Sequence, residues 1–129
     1  MRIALGIIFF WFGALKTPGY GPVTEIVRAS FPFMAEGTGN IVLAIFEILI
    51  GLGLIFKICP QAIFTALTLH LLGTFSVFIL APEIMFDPNF PYLSLDGEFV
   101  VKNLALVMGG FIVFLADYHL PKLRDEALG

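Results

Sequence analysis

Charge is what this sequence has least of. Of its 129 residues, 13% are Asp, Glu, Lys or Arg, whereas soluble domains carry about 25%. Cysteine is almost missing: Cys59 stands alone, so no internal disulfide can close, and thiol exchange or metal binding through a cysteine pair is excluded. There is no basic surplus either. The formal net charge is −3, and a nucleic-acid partner would call for a basic face. Internal repeats and low-complexity tracts are lacking as well. What is abundant is apolar bulk: 59% of the residues are hydrophobic and the mean hydropathy is +0.98. Water is a poor solvent for such a surface, so the first partner is the lipid bilayer, and at this length one domain, 1–129, is expected.

A membrane helix needs about 20 mostly apolar residues, with a range of roughly 17–25. Four stretches approach this: residues 2–17, 40–57, 61–81 and 99–118. None alternates polar and apolar residues as a barrel strand does, and backbone groups in lipid pair internally, so each reads as a helix. The fold expected is all-α, an integral membrane four-helix bundle. The first stretch, Arg2 followed by Ile3 to Leu15, has the look of a signal peptide, but no small-x-small site follows it, and it is read as an uncleaved first helix. Lys16 at its end can snorkel. The third span should close at Pro82 and the fourth at Pro121. Between spans lie one tight turn at Pro60 and two long loops. Residues 23–33 form a small amphipathic piece, with Ile26, Val27 and Phe31 able to lie on an interface. Residues 82–98, rich in Pro and aromatics, should fold back over the bundle mouth.

Four spans put both termini and the middle turn on one side. That side carries Arg2, Lys57, Lys122 and Arg124, against Lys16, Arg28 and Lys102 on the other. The positive-inside rule then sets both termini in the cytoplasm, with the acidic loops (Glu25, Glu36, Glu83, Asp87, Asp96, Glu98) outward.

A few polar residues interrupt the apolar spans. Glu47 lies about 10 Å below the outer end of the second span at ~1.5 Å per residue. A charge there costs about 2.5–3.5 kcal/mol, so Glu47 must face the bundle interior. Lys16 and Lys102 are both within reach of the same end. Glu98 and Lys102 form an i,i+4 pair, with Asn103 next to it. His70 sits in mid-span among Thr65, Thr68, Thr74 and Ser76. Two readings stay open: interhelical glue, or a proton-active or quinone-head-group pocket. One histidine and one carboxylate are too few for a bound metal. Gly6, Gly13, Gly51, Gly53, Ala105 and Gly109 are read as close-packing positions, and the 15 phenylalanines as lipid-facing bulk.

These residues carry a resemblance. Phe10-Trp11-Phe12-Gly13-Ala14-Leu15-Lys16, Ser30-Phe31-Pro32-Phe33-Met34, Glu47 in a Gly-rich span, Thr74-Phe75-Ser76 running to Ala81-Pro82, and Leu95-Asp96-Gly97-Glu98-Phe99-Val100-Val101-Lys102-Asn103-Leu104 resemble the RclC/YkgB-like inner-membrane proteins, within the DoxX-like group. The resemblance implies a four-helix protein of the bacterial inner membrane tied to resistance to reactive chlorine and other oxidants, and it carries over Lys16, Glu47, Gly97, Phe99 and Lys102. DoxX-like relatives include a membrane subunit of a thiosulfate:quinone oxidoreductase, and distant ones look like assembly chaperones. The expectations are therefore a quinone-linked or oxidant-protection protein, with quinone as the possible cofactor. An accessory subunit or assembly factor with a membrane-protein partner, or a homo-oligomer, is the alternative. A small transporter ranks last, for want of a broken-helix pair.

Overall fold

The computed structural model describes residues 1–16, 24–35 and 37–129. Its helices are α1 (Arg2–Lys16), α2 (Thr24–Ser30), α3 (Pro32–Ala35), α4 (Thr38–Phe56), α5 (Pro60–Phe75), α6 (Val77–Leu80), α7 (Pro82–Met85), α8 (Leu95–Phe114), a π-helical segment Leu115–His119, and α9 (Leu120–Leu128). Among the described residues there is no strand, only an isolated bridge between Phe86 and Leu93. Among the described residues, three helical stretches are long and apolar enough to cross a membrane: Thr38–Phe56, Pro60–Leu80 and Leu95–Leu128. A membrane protein follows from their length and composition. With 15 residues, α1 is about 22 Å long at ~1.5 Å per residue, short of the ~30 Å hydrocarbon layer.

Local sequence explains most of the boundaries. Lys57 ends α4 in the left-handed region (φ 58°) and its N–H bonds the carbonyl of Gly53, the arrangement that satisfies an orphan helix carbonyl. Pro60 then opens α5, where its missing N–H costs nothing. The third span changes from α5 to α6 at Ser76, which stays in the helical region and whose hydroxyl donates to the Gly73 carbonyl at 2.6 Å. Ser94 caps α8, accepting from the Gly97 N–H at 3.0 Å and donating to the Ile84 carbonyl at 2.5 Å. That places Asp96 and Glu98 in the first turn, where acids favour the helix dipole. The last helix therefore starts at Leu95, not at residue 99. Nor does Pro121 close it. The widened π turn at Leu115–His119 precedes the proline, so the chain stays helical to Leu128 despite the lost i→i−4 bond.

The buried residues form two clusters. Leu5, Phe9, Ile50, Leu54, Leu67, Leu71 and Val113 draw α1, α4, α5 and α8 together. Ile26, Val77, Ala81, Met85 and Val100 pin α2, α6 and α7 onto α8. The proline-rich loop thus folds onto the bundle as expected. The amphipathic piece does not lie free at an interface: Ile26 is buried against protein. Thr17, Val23 and Glu36, which fell within the expected span and loops, lie outside the described residues. Outward faces are apolar, with Ile7, Trp11, Ile45, Leu49, Leu72 and Ile112 exposed, the arrangement a lipid solvent requires. At the turn end, Asp117 pairs with Arg2 at 2.9 Å and lies 3.9 Å from Lys57.

The closest helix pair is α1 against α4. A Cβ on Gly51 would sit 2.6 Å from the Phe10 nitrogen and 2.7 Å from the Gly6 carbonyl oxygen, and one on Gly13 would sit 2.7 Å from the Ala44 carbonyl oxygen. Small residues are what permits such backbone approach. Gly51→Ala is therefore expected to lose about 1–3 kcal/mol through overpacking, read by unfolding in detergent. Unchanged stability would show that the two backbones have room to part.

Candidate functional site

The α1–α4 contact brings the last residue of α1 beside the middle of α4. Phe9, Phe12, Gly13 and Lys16 follow one another at helical spacing, so a single stripe of α1 faces inward. Lys16 does not snorkel. Its ammonium turns into the bundle and meets Glu47 Oε1 at 2.5 Å, with side-chain exposures of 6% and 4%. His70 Nε2 lies 2.9 Å from the same oxygen. One carboxylate oxygen thus ties α1, α4 and α5 together. Asn40 Nδ2 donates to the Lys16 carbonyl at 2.9 Å, capping α1 from α4 and holding the lysine in place. The second oxygen, Glu47 Oε2, is buried with no hydrogen-bond partner among the described residues.

Aromatic rings hold the imidazole. Phe9 meets it edge-on at 5.8 Å between centroids, and Phe46 lies tilted at 6.2 Å. The threonines around His70 are used within their own helix: Thr65, Thr68 and Thr74 donate to the carbonyls of Gln61, Phe64 and His70, the back-bonding open to hydroxyls in mid-helix. They leave Glu47 to Lys16 and His70.

This constellation stands on the wall of a cavity of about 590 Å³, in the size range of small-molecule sites. Lys16, Glu47, His70 and Asn103 supply its polar wall, and Phe9, Phe12, Phe31, Phe33, Phe46 and Phe99 much of the rest. Asn103 is 9% exposed, and its side chain makes no hydrogen bond among the described residues. No third His, Cys, Asp or Glu joins Glu47 and His70 to complete a metal-ligand set among the described residues. The site's means are donors, acceptors and a proton-bearing pair beside an apolar chamber.

Of the residues expected to cluster, Lys16, Glu47, His70 and Asn103 come together, and Glu98 and Lys102 do not. Those two form a surface pair at 3.4 Å, with side chains 54% and 75% exposed. The reason is the phase of α8: Val100 and Asn103 point inward, and at ~100° per residue position 102 is carried to the outer face. Gly97 and Phe99 sit apart from the ion cluster. Gly97 packs directly on the Met85 carbonyl, and Phe99 meets Phe12 edge-on at 5.9 Å, closing the cavity's edge. The phenylalanines divide: Phe10 and Trp11 face outward, while Phe9 is 4% exposed. Phe9 and Phe12 could have been found from their helical spacing to Lys16. Phe31 and Phe33 reach the cavity only through the packing of α2 and α3.

Comparison with protein-family models, with curated proteins and with solved structures gives no match.

Breaking a buried ion pair leaves an uncompensated charge and costs about 3–5 kcal/mol. Lys16→Met alone should therefore destabilise the chain by that order, and Lys16→Met combined with Glu47→Leu should restore much of the loss. Denaturation of the single and double variants in one detergent reads the coupling; strictly additive losses would mean that the pair holds nothing together.

Proposed function

We propose that this chain is a four-helix integral membrane protein that binds a lipid-soluble molecule with a polar head, a quinone by class, and serves quinone-linked redox chemistry or oxidant protection. The observation that carries the reading is the buried Lys16–Glu47–His70 constellation on the wall of an aromatic cavity of about 590 Å³. Intramembrane ionisable groups are costly, which favours a working role over an incidental one. A quinone head offers carbonyl acceptors, and the Lys16 ammonium has protons beyond the one given to Glu47. Asn103 adds an amide that can donate or accept. The phenylalanines suit a flat ring by stacking and edge contacts. The Glu47–His70 pair is also able to hold or pass a proton at the head group. The resemblance to RclC/YkgB-like proteins points the same way.

Purified chain should carry quinone extractable into organic solvent, and should bind an added short-tailed quinone. Glu47→Gln and His70→Ala should each weaken that binding by about tenfold, or ~1.4 kcal/mol. Absence of both co-purified quinone and binding would refute the reading.

The location we propose is the bacterial inner membrane, with both termini and the α4–α5 turn in the cytoplasm. Arg2 and Lys57 share the end closed by Asp117, and Lys122 and Arg124 follow on α9, which agrees with the positive-inside rule. Cys59, the single cysteine, is exposed at that turn. A membrane-impermeant maleimide should therefore spare it in intact cells (spheroplasts, if an outer membrane is present) and label it after permeabilisation. Labelling without permeabilisation would invert the topology.

A further inference from the structure

The glycines of the long helices divide by what surrounds them. At Gly6, Gly13 and Gly51 an added Cβ would lie within 2.8 Å of neighbouring atoms, and at Gly53 and Gly110 it would run into the Ile63 and Leu67 side chains. Gly73 is different: among the described residues nothing lies within 4 Å of the place its Cβ would occupy. Glycine in a helix interior is disfavoured against alanine, so a glycine with no packing reason calls for another one. Gly73 lies in α5 one turn beyond His70, and it lines the cavity.

Its neighbours tell where the opening leads. Close to their turn, α4 and α5 are packed together, with Gly53 against Ile63. Beyond the Glu47–His70 bridge, the cavity takes the space between them. There its walls include Val42 of α4, 55% exposed, and, level with the bridge, Leu69 of α5, 62% exposed. Both residues belong to stretches long and apolar enough to cross a membrane. The cavity therefore reaches the outer surface through an apolar gap on the side of the bundle.

Resting on the cavity reading above, we propose that Gly73 keeps open a lateral portal between α4 and α5, through which the tail of a bound lipid-soluble molecule runs into the hydrocarbon phase while its head lies at Lys16, Glu47 and His70. The occupant is a molecule with a hydrogen-bonding ring and a long apolar tail. A volume of about 590 Å³ accommodates the ring and the first part of the tail, and an exit relieves the site of enclosing the remainder. Entry is then from the membrane, and specificity for the tail is set by the width of the gap.

The test uses the full chain in lipid nanodiscs and two quinone probes sharing one head, one with a decyl tail and one with a methyl group in its place. Equilibrium binding is measured for the wild type and for Gly73→Phe, with Gly73→Ala as the mild variant and circular dichroism as the check on folding. With no described atom within 4 Å of its Cβ, a phenylalanine at position 73 can start into the gap, and circular dichroism shows whether the fold accepts its ring. Gly73→Phe should weaken the decyl probe by about tenfold or more, through lost apolar contact along the tail, and leave the methyl probe within about twofold. Gly73→Ala should weaken the decyl probe by less than Gly73→Phe does and leave the methyl probe unchanged. Equal loss of both probes, or loss of neither, would overturn the portal while leaving the cavity reading intact. A change of oligomeric state in Gly73→Phe, read by crosslinking, would also overturn it, because the gap would then be a helix-docking face. Failure of the wild type to bind either probe would refute the cavity reading, and the portal with it.

Discussion

Glu47 is the constraint to which the rest of this structure answers. A carboxylate in the middle of an apolar helix has to be paired, because an isolated charge in a low-dielectric interior is far costlier than any packing gain nearby. Its Oε1 takes both partners, Lys16 at the end of α1 and His70 in the middle of α5. Two choices follow. Lys16, whose ordinary course at a helix end is to reach for water, bends inward instead. The α1–α4 pair must also be close enough for a lysine stem to make that reach, which the glycine contacts at Gly6, Gly13 and Gly51 allow.

The same demand shapes the cavity. The ion cluster holds α1, α4 and α5 at one level, while the loops on the far side are tied down separately through Ile26, Met85 and Val100. The cavity lies between these two anchored layers, and aromatic side chains line much of it. A polar wall made obligatory by charge pairing and an apolar chamber made by two separately fixed layers together give an amphiphilic site. The chemistry available there is hydrogen bonding and proton exchange at one end and dispersion contact at the other.

Much of this was legible along the chain. The apolar runs, the inward placement of Glu47 and the return of the proline-rich loop over the bundle all follow from local composition and the cost of a lone charge in lipid. Where the structure differs from the local pattern, the cause is physical. Pro121 removes one backbone bond and so marks a helix end in the sequence, but the π turn before it lets the helix run on. The depth of Lys102 puts it level with Glu47, but depth and facing are separate variables, and the phase of α8 is set by the buried Val100 and Asn103. Composition alone sends phenylalanines to lipid as a class, whereas Phe9 and Phe12 share the inward stripe of Lys16.

The sequence by itself determined the solvent, the helical class, the candidate polar residues and the need for a partner at Glu47, because each depends on composition or on spacing within one segment. Only the tertiary structure decided which cation answers that need, that His70 shares the same oxygen, and that a chamber lies beside them. Those outcomes depend on the rotation of each helix about its own axis and on how closely backbones approach. Both are settled by packing between residues far apart in the chain, such as Gly13 on Ala44 and Gly97 on the Met85 carbonyl.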